Sequence, residues 1–229
     1  MKIVDLTLEI YDGLVSYTSH PPIAIQEEST FENSGHRYIE PCEGFESRFL
    51  RMSDHSGTHI DAPIHFIRNG ESTAEMDLTK TFGEAVLLDV STIKKPYEPV
   101  TAELLKHAEV TQGISVNPGD IVIVRTRTEK WGEGDFFAEH AFATCAGDWL
   151  LEKQVKCIGL DLANIDVHDN MKREVHLKLL SAPIYIVENL VNLEHLPLHE
   201  HFTFMALPLK LKNATASPVR AVAFLHCNV

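Results

Sequence analysis

Short apolar runs separated by turn residues fill this chain from end to end, and that rhythm limits its fold more than any other feature. Residues 85–90 (AVLLDV) and 121–126 (IVIVRT) read as buried strands, the second introduced by the turn Asn117-Pro118-Gly119-Asp120. Residues 3–10 alternate in part and are rich in strand formers, and residues 101–109 (TAELLKHAE) predict a short helix with Thr101 as its N-cap. Residues 142–154 carry apolar side chains at helical spacing and run into a strand at 155–160 that ends on Asp161. Residues 184–187 form a further β-rich run, and 202–211 and 219–225 predict two closing strands. Strand outweighs helix and a regular alternation of the two is absent. The expected fold class is therefore α/β, a compact mixed β-sheet with flanking helices, in place of a pure doubly wound sheet or an eight-unit barrel. No stretch is linker-like and no internal repeat occurs, so residues 1–229 are expected to be one domain.

Charge narrows the function classes. Twenty Lys and Arg residues stand against thirty-three Asp and Glu, a net charge of −13, which repels phosphate backbones and anionic lipid heads; no nucleic acid and no membrane surface is expected as a partner. A hydrophobic fraction of 44% is enough to build an ordinary globular core. Cys42, Cys145, Cys157 and Cys227 are scattered without a CxxC pair, and the opening MKIVDLTLEIYDG lacks the uninterrupted apolar centre of a signal peptide. A cytoplasmic location with reduced thiols is the expectation, and no apolar run reaches the length of a membrane span.

The chemistry concentrates in residues 54–66, DHSGTHIDAPIHF, where His55, His59, Asp61 and His65 supply neutral imidazole and carboxylate, the donors that divalent zinc, manganese and similar ions take. Ligands of one ion bring their donor atoms to about 2 Å from it, whereas four residues of extended strand span roughly 13 Å, so the chain between His55 and His59 must turn. Gly57 can supply that turn, and Pro63 stiffens the approach to His65. His59 and Asp61 are two apart, so on an extended backbone both leave from one face and can share an ion. His199-Glu200-His201 resembles metalloprotease signatures only superficially, because those histidines must stand four apart on a helix; solvated or structural roles are expected there.

Read in full, His55-Ser56-Gly57-Thr58-His59-Ile60-Asp61-Ala62-Pro63-Ile64-His65 resembles the HxGTHxDxPxH hallmark of the metal-dependent cyclase-like hydrolases, the family of bacterial kynurenine formamidase and isatin hydrolase, at every fixed position. GLDLANID (residues 159–166) resembles that family's GIDxxSxD, HLKLLSAPIYIVENLVNL resembles its segment of later ligands, and residues 207–224 resemble its ending, with Pro208, Pro218 and Arg220 on recurrent positions taken as structural. The resemblance implies a single swivelling β/α/β-like domain and a two-ion site: His55, His59 and Asp61 on one ion; Asp61, His176 and Glu188 on the second, His176 standing twelve residues before Glu188 as in the formamidase pattern. It implies His65 as proton donor and acceptor, with an imidazole expected to titrate near neutral pH. The activity implied is hydrolysis of a C–N amide bond in a small aryl substrate of the N-formylkynurenine type by a metal-bound hydroxide, in a homo-oligomer, dimer or tetramer. Zinc is the first candidate, as one ion or two, and manganese the alternative.

Two departures from the family pattern stand out. Where relatives carry a Trp-Pro-Gly-Asp-like stretch whose tryptophan touches the aryl substrate, this chain reads Tyr17-Thr18-Ser19-His20-Pro21; Tyr17 can still stack on an aromatic ring. Asn164 replaces the usual serine, in a segment followed by His168, which has no assigned role. Asp54, Asp161 and Asp166 are candidates to orient ligating imidazoles. The competing functions are a lactam-opening isatin hydrolase-like enzyme or an ester hydrolase and, in another class, a non-catalytic metal-binding protein.

Overall fold

The computed structural model describes residues 1–139, 141–167 and 169–225, so His168 and Cys227 lie outside the described residues. The chain opens with β1 (Lys2–Asp5), then sends out a hairpin of β2 (Ala24–Ser29) and β3 (Ser47–Arg51), with one turn of helix, α1 (Phe31–Ser34), between them. It returns through the three-residue β4 (His59–Asp61). A regular series follows: β5 (Phe82–Asp89), α2 (Ala102–Thr111), β6 (Ile121–Arg125), α3 (Thr144–Glu152), β7 (Cys157–Leu160), α4 (Glu174–Ser181) and β8 (Tyr185–Glu188). Strands β9 (Phe202–Met205), β10 (Ala216–Pro218) and β11 (Val222–Leu225) close the fold.

Nine of these strands form one mixed sheet in the order β1-β11-β9-β5-β6-β7-β8-β4-β10, parallel from β5 to β8 and antiparallel at both flanks. The parallel strands are covered on both faces, which is why AVLLDV and IVIVRT are continuous apolar runs and do not alternate. On one face Val86, Val122, Ile158 and their neighbours pack under Leu105 of α2, Trp149 of α3 and Leu179 of α4. On the other, Leu87, Ile123 and Val187 share a cluster with Leu6, Ile60, Phe204 and Ala223, so the antiparallel flanks curl over the same side. Each such fully buried aliphatic side chain contributes about 1.5–3 kcal/mol.

The series from β5 to β8 is more regular than the sequence predicts because α4 lacks the usual local marks of a helix start: Arg173 precedes it in the left-handed region and its own side chain makes no cap. The helix at 102–111 does start on Thr101, whose hydroxyl accepts from the Leu104 amide at 3.3 Å. The strand expected over 202–211 stops at Met205, ahead of Pro208, which has no amide to give a ladder. Arg220 serves the fold, its Nε reaching Asp5 of β1 at 3.0 Å. His199 and His201 are also structural, against the Gln112 carbonyl (2.6 Å) and Asp120 (3.1 Å). The β2–β3 hairpin, for which the sequence gives no clear alternation, leaves Phe49 and Leu50 exposed.

What positions the chemistry is β4, held antiparallel between β8 and β10. Its register sets His59 opposite both Glu188 and Pro218, and Asp61 opposite Ile186 and Ala216. Because side chains alternate across a strand, His59 and Asp61 share one face, and a slip of one residue would turn both away from it.

Candidate active site

Six sequence-selected side chains meet at the carboxyl ends of β7 and β8, where open parallel sheets offer their crevice. The turn between His55 and His59 is made by Gly57 at φ +63°, and a Cβ there would press on Ile10 at 3.0 Å. His55 Nδ1 then stands 2.9 Å from Asp61 Oδ1. His59 Nε2 lies 3.5 Å from both Asp61 Oδ1 and Glu188 Oε2, while His176 Nε2 lies 3.5 Å from Asp61 Oδ2 and 3.6 Å from Glu188 Oε1. The two carboxylates thus each turn one oxygen towards His59 and the other towards His176. Pro63 opens a single 3₁₀ turn, Pro63–His65, that swings His65 back so that its ring centre is 4.1 Å from that of His55.

Each of three imidazoles is oriented from behind. His59 Nδ1 donates to the Gly57 carbonyl at 3.0 Å, and His176 Nδ1 to Asp166 at 2.6 Å. Thr215 donates its single hydroxyl proton to Asp54 at 2.8 Å, so at 2.9 Å it accepts from His55 Nε2. The remaining nitrogen of every ring therefore faces the carboxylate pair. Asp54 and Asp166 do orient imidazoles, the first through Thr215. Asp161 does not: it accepts from the Thr126 amide and hydroxyl, and burial pushes it up to about 6.

This donor set fits a divalent cation. His59 Nε2 and both oxygens of Asp61 are buried without a hydrogen-bond partner, the 2.9 Å approach of His55 being misaligned for one. Orphaned buried polar atoms are costly, and a shared cation satisfies all three. His55, Asp61 and His65, and separately His59, Asp61 and Glu188, bring one donor atom each within 4.8 Å of one another. Burial works against the charged forms of His59 and His176. The contacts to Glu188 and Asp166 and the charge of Asp61 outweigh it and push both rings up to about 9, while the imidazoles hold Asp61 well below the usual carboxylate range. A cation must displace those ring protons, so its affinity is expected to rise with pH up to about 9 and then level off. With two protons released, the rise approaches about a hundredfold per pH unit. Calorimetric titration with zinc at pH 7, 8 and 9 checks this; a pH-independent affinity would contradict it.

His65 differs from expectation. Burial, with the neighbouring imidazoles adding to it against the charge of Asp61, pushes it down to about 4, so at neutral pH the ring is uncharged. It lines a cavity of about 210 Å³ together with Tyr17, His20, Phe66, Asn164 and Arg173. A larger cleft of about 330 Å³ lies beside Arg127 and Trp131, but none of the converging imidazoles opens into it.

Sequence reasoning did not find Thr215 or Asn189. Asn189, fully buried, donates to the Gly57 carbonyl at 3.1 Å and accepts from Trp131 Nε1 at 2.8 Å, fixing the carbonyl that orients His59. Both act on residues more than 130 positions away, and no local spacing announces such a partner.

Fold and site together define an α/β protein with a buried His/Asp/Glu cluster, suited to a divalent cation, at the floor of a small pocket. The Cyclase family model matches residues 4–167. Kynurenine formamidase from Bacillus mycoides is 30% identical over 224 residues, covering 96% of this chain and 95% of that one, and the Bacillus cereus kynurenine formamidase is 30% identical over 226. Isatin hydrolase A from Labrenzia aggregata, solved with benzyl benzoate bound, superposes with a TM-score of 0.79 at 25% identity, over 97% of this chain and 93% of that one. The chain belongs to the Cyclase family and is a hydrolytic enzyme of it.

Proposed function

We propose that this enzyme hydrolyses the C–N bond of a small aryl formamide of the N-formylkynurenine type, consuming one water and releasing formate and the free aryl amine. The observation that carries the reading is the aim of three imidazoles, each fixed from behind, onto two buried carboxylates beneath a pocket of about 210 Å³. His55, His59 and Asp61 would hold one divalent ion, and Asp61, His176 and Glu188 a second, with zinc the first candidate and manganese the alternative. When bound, such a cation supplies Lewis acidity, acidifying water and polarising the formyl carbonyl.

The chain's own residues do the rest. His65, neutral at pH 7, takes a proton from the attacking water and returns it to the aryl nitrogen as the C–N bond breaks, since an anilide nitrogen leaves poorly until protonated. Tyr17 and Phe66 offer aromatic faces to the aryl group. Assaying the metal-loaded protein on N-formylkynurenine beside isatin tests the reading: formate release from the first is expected, and ring opening of isatin alone would assign the enzyme to lactam hydrolysis.

The exposed Phe49 and Leu50 of the β2–β3 hairpin support a homo-oligomer, dimer or tetramer. Light scattering is expected to give at least twice the 25.7 kDa of the chain, and a monomer mass would refute it. Free thiols at Cys42, Cys145 and Cys157 accord with a cytoplasmic setting.

A further inference from the structure

Both departures from the family pattern lie on one wall of the pocket, and they touch. Asn164 sits in a tight turn whose Oδ1 accepts from the Asp166 amide at 2.8 Å, which fixes the orientation of its carboxamide. Its Nδ2 therefore faces the Tyr17 hydroxyl at 3.4 Å, and its Oδ1 also faces Arg173 Nη1 at 3.5 Å. Arg173 itself is unusual. It holds φ +50° and ψ +45°, a left-handed conformation that non-glycine residues rarely adopt, immediately before α4. Strained backbone of this kind persists where the surroundings hold it, and here it brings a guanidinium to the rim of the pocket.

That guanidinium meets no carboxylate among the described residues. Among the described residues its one side-chain hydrogen bond is the 3.5 Å contact to Asn164, and the adjacent Glu174 is turned towards Thr144 and Asn170. A permanently charged fork donor beside an aromatic ring, within a pocket whose floor breaks an aryl amide, matches a ligand with an aromatic body and an anionic tail. The net charge of −13 repels such a ligand from most of the surface, so a local cation is needed where it enters.

The geometry points to Arg173 as the specificity residue that binds a carboxylate on the side chain of the substrate, with Tyr17 and Asn164 placing it. The preferred substrate is then an aryl formamide bearing a carboxylate, over a neutral ring such as isatin. This inference rests on the aryl formamide reading above and adds to it the charge of the substrate.

The test compares kcat/KM of the metal-loaded enzyme for N-formylkynurenine and for formanilide, which has the same reacting group and no carboxylate. Arg173→Asn removes the charge, and asparagine tolerates the left-handed backbone. The ratio of the two substrates is expected to fall by about tenfold to a hundredfold in R173N, mainly through KM for N-formylkynurenine, and to recover in large part in R173K. Lys172→Gln, which removes an exposed charge one residue away, is expected to leave the ratio where it was. An unaltered ratio in R173N overturns the inference, and so does a proportional loss on both substrates, since that would mark Arg173 as a support for α4 alone. A wild-type enzyme that cleaves neither formamide overturns the aryl formamide reading and this inference with it. Cleavage of both by the wild type, with R173N unchanged in ratio, overturns the inference alone.

Discussion

Asp61→Ala is expected to lose the divalent cation and catalytic turnover together, with kcat/KM reduced by at least about a thousandfold. Of the two buried carboxylates, Asp61 faces three imidazoles where Glu188 faces two: Oδ1 faces His55 and His59, and Oδ2 faces His176. Removing it leaves three oriented imidazoles around Glu188 alone and takes away one of the two negative charges that make the centre attractive to a doubly charged ion. His59 and His176 would also lose part of the charge that raises them to about 9. Metal analysis after dialysis, beside the rate on N-formylkynurenine, reads both effects at once. Full metal occupancy in this variant would remove Asp61 from the ligand set.

His65→Ala should separate what Asp61→Ala joins. The ring packs tilted against His55 and edge-on against Phe66, at 4.2 Å between centres, and among the described residues no carboxylate or threonine turns it as Asp166 and Thr215 turn its neighbours. Burial pushes it down to about 4, so at neutral pH it carries no charge and keeps one nitrogen lone pair open. The variant is expected to bind metal nearly as the wild type does and to lose about a hundredfold to ten-thousandfold in kcat, the usual contribution of a positioned acid–base group. A wild-type rate would end the proton-transfer assignment, whereas loss of metal would make His65 a ligand.

Residues 54–66 made the metal chemistry legible because the constraint is local: the glycine turn and the two-residue step from His59 to Asp61 are written in consecutive positions. The central strands were legible for the same reason, their apolar runs being long enough to read singly. β10 was not, since three residues ending in proline have strand geometry only by pairing with β4. The helix that carries His176 was hidden because its turns are stabilised by packing of Val175, Leu179 and Leu180 and by Asp166, which accepts from the Val175 and His176 amides, not by a cap in its own sequence. His65 could be selected from sequence, but its charge state could not, because burial sets it.

The pairing of β4 with β10 has a consequence for how the enzyme acquires its cation. The hydroxyl that turns the His55 ring, and one of the two strands that hold His59 and Asp61 straight, belong to residues 215–218, which leave the ribosome some 160 positions after the histidines they serve. A nascent chain carrying residues 54–66 therefore has the donors without the geometry, and an ion captured early would meet a loose, adaptable cluster. The donors of residues 54–66 take up their final geometry only once residues 215–218 have paired with β4.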